Sequence, residues 1–190
     1  AVGLLLGEPA SIATSGGMLH TSPMDGGVSV ELEAPRLEWE AIPLAYAMDT
    51  LEMPLGWGPL ERPVAVNVGN PHAIFFVDDS DAVALDQLGP EIEHDEVFPE
   101  RVNVNVATVV DRQTIRLRVW ERGVGLTRAC GTGACATAVG AMRRGLVDKA
   151  VTVHLPGGTL HIIWNESGTI TMAGAATESF RGAFDWDDFG

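Results

Sequence analysis

Along much of this chain the apolar residues recur at every second position. Val28-Ser29-Val30-Glu31-Leu32 alternates apolar with polar. Thr114 to Glu121 alternates again, with Ile115, Leu117 and Val119 set against Arg116, Arg118 and Trp120. A period of two marks a strand, whose successive side chains point to opposite faces. Val102 to Val110 contains Val-Asn-Val-Asn-Val and reads as a strand with one wet face. Val64 to Val68 and Ala73 to Val77 are denser apolar runs, also read as strands. Residues 11–15 and 18–21 form a hairpin pattern around Gly16-Gly17. Residues 151–155, 159–164 and 169–173 return to strands, divided by Pro156-Gly157-Gly158 and Asn165-Glu166-Ser167-Gly168. Asp111-Arg112-Gln113 is a turn, and residues 81–88 suggest a short helix.

The stretch from Gly131 to Gly145 differs. Ala, Gly and Thr dominate it, and Val139 and Met142 are its larger residues. It closes with Arg143-Arg144-Gly145, basic residues before a glycine, a helix stop. Small residues around most of the circumference predict a helix closely surrounded by other elements. The fold class is therefore α+β, with mainly antiparallel strands wrapped around a central buried helix. Residues 33–62, rich in Pro, Glu and Trp, read as an irregular connection and the place for a domain boundary.

Charge narrows the partners. The net charge of −14 argues against nucleic acid and anionic membranes, which need basic patches. It does not argue against a small anionic substrate, because local arginines act within the ~8–10 Å that salt leaves unscreened. No apolar run approaches the ~20 residues of a membrane span, and no signal-peptide pattern is present. The two cysteines, Cys130 and Cys135, share the predicted helix and cannot form a disulfide there. A reducing, cytoplasmic setting is the default reading. Ala1 to Gly7 looks like the tail of a helix that begins elsewhere.

The segment Glu121-Arg122-Gly123-Val124-Gly125-Leu126-Thr127-Arg128-Ala129-Cys130-Gly131-Thr132-Gly133-Ala134-Cys135 leaves a strand, turns on glycines and enters the small-residue helix. Cys130 falls at the helix N-terminus, where the first amides lack internal partners and carry partial positive charge. A thiolate is stabilised there, and its pKa is expected to fall by about a unit or more from ~8.5. The same amides can grip a carboxylate, and Gly131 and Gly133 let a ligand approach the backbone. A thiol base beside a carboxylate cradle suits removal of an amino acid's α-proton. Blander readings coexist with this one. Cys135 reads as an inert core residue, Asn70 before Pro71 as a turn pair, and Glu121-Arg122 as a solvated strand end. His72 also reads as a buried, hydrogen-bonded histidine, and Arg101 as a surface residue pairing with Glu100 or Asp95. The remaining histidines have no role and no metal-ligand spacing.

Three motifs resemble those of diaminopimelate epimerases: Glu121-Arg122-Gly123 with Ala129-Cys130-Gly131-Thr132-Gly133-Ala134-Cys135, then Gly69-Asn70-Pro71-His72, then Phe98-Pro99-Glu100-Arg101-Val102-Asn103. The resemblance covers roughly residues 27–185. It implies half of a pseudo-symmetric two-domain epimerase fold. Residues 1–32 would be a remnant of the N-terminal domain, 33–175 the C-terminal catalytic half, and 176–190 a tail returning to the N-terminal domain. It implies a cofactor-independent isomerase, using neither pyridoxal nor metal, that converts LL- to meso-diaminopimelate in lysine and cell-wall precursor biosynthesis. Two cysteines would face each other across the substrate's α-carbon, with Cys130 as the second. Gly131 and Thr132 would hold the reacting carboxylate through backbone amides. Asn70, Asn103, Glu121 and Arg122 would bind substrate, and His72 and Glu121 would modulate the thiol pKa values. A homodimer is the implied assembly.

The sequence departs from the family in one respect. The family's first cysteine lies in an N-terminal Cys-Gly-Asn-type motif that this chain lacks. Cys135 lies about 140° around the helix from Cys130, at ~100° per residue, and cannot face it across a substrate. The expectation is a chain that supplies one thiol and is inactive alone. Competing functions are a hydrolase with Cys130 as nucleophile and His72 as base, and a non-catalytic ligand-binding or assembly module.

Overall fold

The computed structural model describes residues 8–14, 16–177 and 182–183. Three strands lead, β1 (Ala10–Thr14), β2 (Gly17–Met24) and β3 (Gly27–Leu32). An irregular stretch follows, relieved only by the two-residue strands β4 (Gly56–Trp57) and β5 (Leu60–Glu61). Then come β6 (Val64–Asn67), β7 (Pro71–Phe76), a single 3-10 turn at Ser80–Ala82 and helix α1 (Leu85–Glu93). Strands β8 (Asn103–Asp111), β9 (Thr114–Glu121) and β10 (Gly125–Thr127) lead into helix α2 (Gly131–Arg143). Strands β11 (Ala150–Leu155), β12 (Gly158–Trp164) and β13 (Ile170–Ala175) close the described chain.

Eleven strands form one sheet in the order β1-β2-β3-β13-β12-β11-β9-β8-β7-β6, with β10 added beside β9. Most pairs are antiparallel, as the alternating pattern predicts. Two are parallel, β7 with β8 and β9 with β11, so the sheet is mixed. Each parallel pair is joined by a crossover containing a helix, as parallel neighbours require. The sheet curls around α2, which packs on β6, β7, β8, β9, β11, β12 and β13. Every α2 residue from Gly133 to Met142 is buried. The small residues explain how: a Cβ on Gly140 would already lie 3.4 Å from Val64 Cγ1.

The dense apolar runs at β6 and β7 reflect burial on both faces. Val64, Val66 and Ile74 join the core around α2, whereas Ala65, Ala73 and Phe75 join a second core with Ile42, Met53, Trp57, Leu60, Leu85 and Ile92. The irregular stretch and α1 thus cover the sheet's other face. At about 25 cal/mol per Å² of apolar surface, full burial of a side chain such as Phe75 contributes roughly 2–3 kcal/mol.

Three expectations need correction. The face of β8 carrying Asn103 and Asn105 is dry: both residues are buried. Their amides replace water with protein partners, Asn105 Nδ2 donating to Gly133 O at 2.9 Å and Thr137 Oγ1 at 2.8 Å. The short helix predicted at 81–88 is a 3-10 turn followed by α1, which continues to Glu93 through Pro90. The described chain therefore has the two helices expected, the first of them shifted toward the C-terminus. Lastly, Arg101 pairs with neither Glu100 nor Asp95, and its Nη1 lies 3.7 Å from Glu93 Oε1. The readings of Ala1–Gly7 as a helix tail and of the stretch from 178 onward as a returning tail fall outside the described residues, apart from 182–183.

Candidate active site

Cys130 is the N-cap of α2. Its backbone is extended (φ −145°, ψ 107°), and Gly133 N–H donates to its Sγ at 3.3 Å. The first intrahelical bond runs from Ala134 N to Cys130 O. The amides of Gly131 and Thr132 thus precede the helix ladder, where backbone donors lack helical partners. Thr132 Oγ1 lies 3.6 Å from the sulfur.

The thiol is 6% exposed, yet it lines a cavity of about 540 Å³. That volume suits a small ligand. Asn70, Glu121, Gly131 and Thr132 share the wall. More of the wall comes from the β1–β3 region, including Gly16, Met18 and Leu19, and from Met172 on β13. Gly16 and Gly69 meet where side chains would not fit: a Cβ on Gly16 would lie 3.0 Å from Gly69 Cα, and Gly69 has φ +109°.

The expected drop in the Cys130 pKa does not occur in this structure. Burial pushes the thiol up. The hydrogen bonds of Thr132 and Gly133 pull it back, and Glu121 adds to the rise through its charge and as an acceptor. Desolvation of an enclosed sulfur beside a carboxylate outweighs what the helix start offers. Cys135 is inside the core, pushed up to about 12 by burial and then by Cys130. Both cysteines are free thiols.

Three of the residues singled out in the sequence stand behind the wall. His72 is fully buried. Its Nδ1 lies 3.2 Å from Asn105 Oδ1 and its Nε2 lies 3.1 Å from Asn70 Oδ1. Burial lowers its pKa to about 4, with a smaller lowering from Arg122 and an opposing contribution from Asn105. The ring is therefore neutral. Asn105 is fixed by its two Nδ2 donations, so His72 donates from Nδ1. Nε2 is then satisfied when the Asn70 amide turns its NH2 toward the ring. No bond joins His72 to either sulfur among the described residues, so the hydrolase reading has no thiol–imidazole pair. Asn103 Nδ2 donates to Pro71 O at 2.8 Å, and its Oδ1 accepts from Arg122 N at 2.9 Å. The Arg122 guanidinium donates to Glu100 O at 2.9 Å. Thr127 Oγ1 donates to Glu121 Oε1 at 2.6 Å, orienting that carboxylate.

Two charged cavity residues escaped the sequence reading, Glu33 and Arg36. They lie in the connection read as irregular. Arg36 is placed by an isolated bridge to Asn67, a pairing with no local signature.

A family model described as diaminopimelate epimerase matches residues 64–178. A diaminopimelate epimerase from Erythrobacter litoralis is 62% identical over 189 residues, covering 100% of this chain and 70% of that protein. Another, from Sphingopyxis alaskensis, is 60% identical with the same coverage. Among solved structures, a hydroxyproline epimerase from Agrobacterium vitis with bound trans-4-hydroxy-L-proline superposes with TM-score 0.61 at 15% identity, over 92% of this chain and 59% of that one. A probable proline racemase from Agrobacterium radiobacter K84 gives 0.60 at 15% identity, over 97% and 63%. At that identity the likeness speaks to fold alone.

Proposed function

This chain belongs to the diaminopimelate epimerase family, isomerases that work without pyridoxal phosphate, and on that premise we propose that it carries one half of the site that inverts the α-carbon of diaminopimelate. The observation that carries the reading is Cys130, a free thiol capping α2 at the wall of an open cavity. Substrate carboxylate would sit on the Gly131 and Thr132 amides, with its α-carbon over the sulfur. Those donors are worth several kcal/mol (order of magnitude) where negative charge develops in a dry site. Burial, with a smaller push from Glu121, keeps the resting thiol protonated and able to deliver a proton. The thiolate, once formed, is a stronger base for the same reason.

Asn70 and Glu121 would contact substrate from the wall. Asn103 and Arg122 would act from behind it, Arg122 contributing to the distal carboxylate once its guanidinium leaves the Glu100 carbonyl. His72, being neutral, would tune the site through Asn70. Inversion also needs a proton donor on the opposite face of the α-carbon. The sequence holds only two cysteines, and Cys135 is locked in the core. The 190-residue chain by itself is therefore read as supplying one thiol, without turnover. The proposed frame is half of a pseudo-symmetric two-domain epimerase, acting in the cytoplasm on a small amino acid, with a homodimer as the assembly.

The test is α-proton exchange. Incubation of this chain with meso-diaminopimelate in heavy water should wash deuterium into the α-position without inversion, and Cys130→Ala should abolish it. Efficient LL-to-meso conversion by this chain alone would refute the single-thiol reading. Binding without exchange would point instead to a ligand-holding module.

A further inference from the structure

Glu93 is a carboxylate at the end of α1 and is 2% exposed. Buried carboxylates are rare unless each oxygen is partnered. Here Trp120 Nε1–H donates to Oε2 at 2.7 Å and Gly123 N–H donates to Oε1 at 2.9 Å. Arg101, whose backbone takes the left-handed φ of 63°, brings Nη1 to 3.7 Å from Oε1. Gly89, one helical turn earlier, seats the Trp120 ring so closely that a Cβ would fall 2.5 Å from it.

Both groups held by Glu93 flank Glu121 and Arg122. The amide of Arg122 is taken by Asn103 and the amide of Gly123 by Glu93, so two successive donors of one turn are gripped by buried side chains. The turn itself closes with Val124 N to Glu121 O at 3.0 Å. We propose that Glu93 is a positioning residue: from α1 it fixes the Glu121–Gly123 turn and thereby sets the Glu121 carboxylate on the cavity wall that it shares with Cys130. The inference rests on the reading of Cys130 as the acid/base group. Only a carboxylate suits the task, because it offers two acceptor oxygens in one plane. A glutamine would turn an NH2 group on one of the two donors.

The experiment compares Glu93→Gln and Glu93→Asp with Glu91→Gln, an exposed carboxylate on the same helix, in the 190-residue chain. The readout is the pH midpoint of iodoacetamide alkylation at Cys130, followed by peptide mass spectrometry. The charged and titratable groups around that sulfur are Glu121 from β9, Glu33 and Arg36 in the cavity lining, and the neutral thiol of Cys135 farther along α2. Only Glu121 rides on the turn that Glu93 holds. Both Glu93 variants should move the midpoint downward, toward that of Glu121→Gln, while Glu91→Gln leaves it in place. Affinity for meso-diaminopimelate, by calorimetry, should fall about tenfold, the scale of one charge-assisted hydrogen bond. The Trp120 indole and Gly123 amide resonances should shift in the same variants.

If those resonances shift while the alkylation midpoint stays with the parent, Glu93 is only a folding element and the proposal is overturned. Failure of both Glu93 variants to fold would overturn it as well. Absence of diaminopimelate binding by the parent counts against the substrate reading alone, and the alkylation midpoints then decide for or against Glu93.

Discussion

Acidification should cost this protein stability through one buried imidazole. His72 is fully enclosed and its pKa is lowered to about 4, mainly by burial, whereas an unfolded chain leaves it near 6.5. Above pH 6.5 both states are neutral there and the residue contributes no pH dependence. Between about 6.5 and 4 the unfolded state takes up a proton that the folded state refuses, so stability falls as pH drops. At about 1.4 kcal/mol per pH unit, that gap is worth about 3 kcal/mol by pH 4. Glu93 adds to the loss only lower down, as pH falls below the ordinary carboxylate range, because it is held below that range. Burial works against that lowering, and the bonds from Trp120 and Gly123 prevail. The net charge of −14 shrinks on acidification and relieves repulsion, an opposing effect that a variant shares. Urea unfolding at pH 7, 6, 5 and 4 of the parent and of His72→Gln isolates the imidazole. The variant should start less stable, through lost packing, and lose about 2–3 kcal/mol less across the series. Parallel curves would mean that His72 is charged in the folded state, and the neutral-ring account of Asn70 and Asn105 would fall with it.

Other outcomes follow from single contacts. Under native conditions at pH 8.5, iodoacetamide should modify Cys130 and spare Cys135, which is enclosed and pushed up to about 12; in urea both should react, as read by peptide mass spectrometry. Gly89→Ala gains up to about 1 kcal/mol in helix propensity. Its Cβ would nonetheless meet Trp120 at 2.5 Å, and the overpacking should win by about 1–3 kcal/mol, seen as a lower melting temperature. Asn105→Leu removes the partners of His72, Gly133 O and Thr137 at once, and should cost about 3 kcal/mol in denaturant unfolding.

The strands and the buried small-residue helix were legible because period-two alternation and a run of Ala, Gly and Thr are local signals. The position of Cys130 at the start of α2 was legible for the same reason, from a glycine-rich turn followed by helix formers. What the pattern misread was solvent. Val-Asn-Val-Asn-Val looks half wet, but asparagine can be buried when another element supplies acceptors, and α2 supplies them from thirty residues downstream. The rise in the thiol's pKa was hidden likewise, because enclosure depends on strands far away in the chain. Glu93, Glu33 and Arg36 carried no local mark at all. Their placement follows from tertiary pairing, as where Arg36 bridges Asn67.

The pairing of β3 with β13 brings Leu32 beside Ile170. Such a contact closes a very long loop, and closures of that kind come late and slowly. Met172, on that last strand, is part of the wall around Cys130. A nascent chain emerging from the ribosome would carry the Cys130 segment before Met172 could close the wall beside it, leaving the sulfur open to oxidants and electrophiles in the interval. Slower synthesis between Cys130 and Met172 would lengthen that interval.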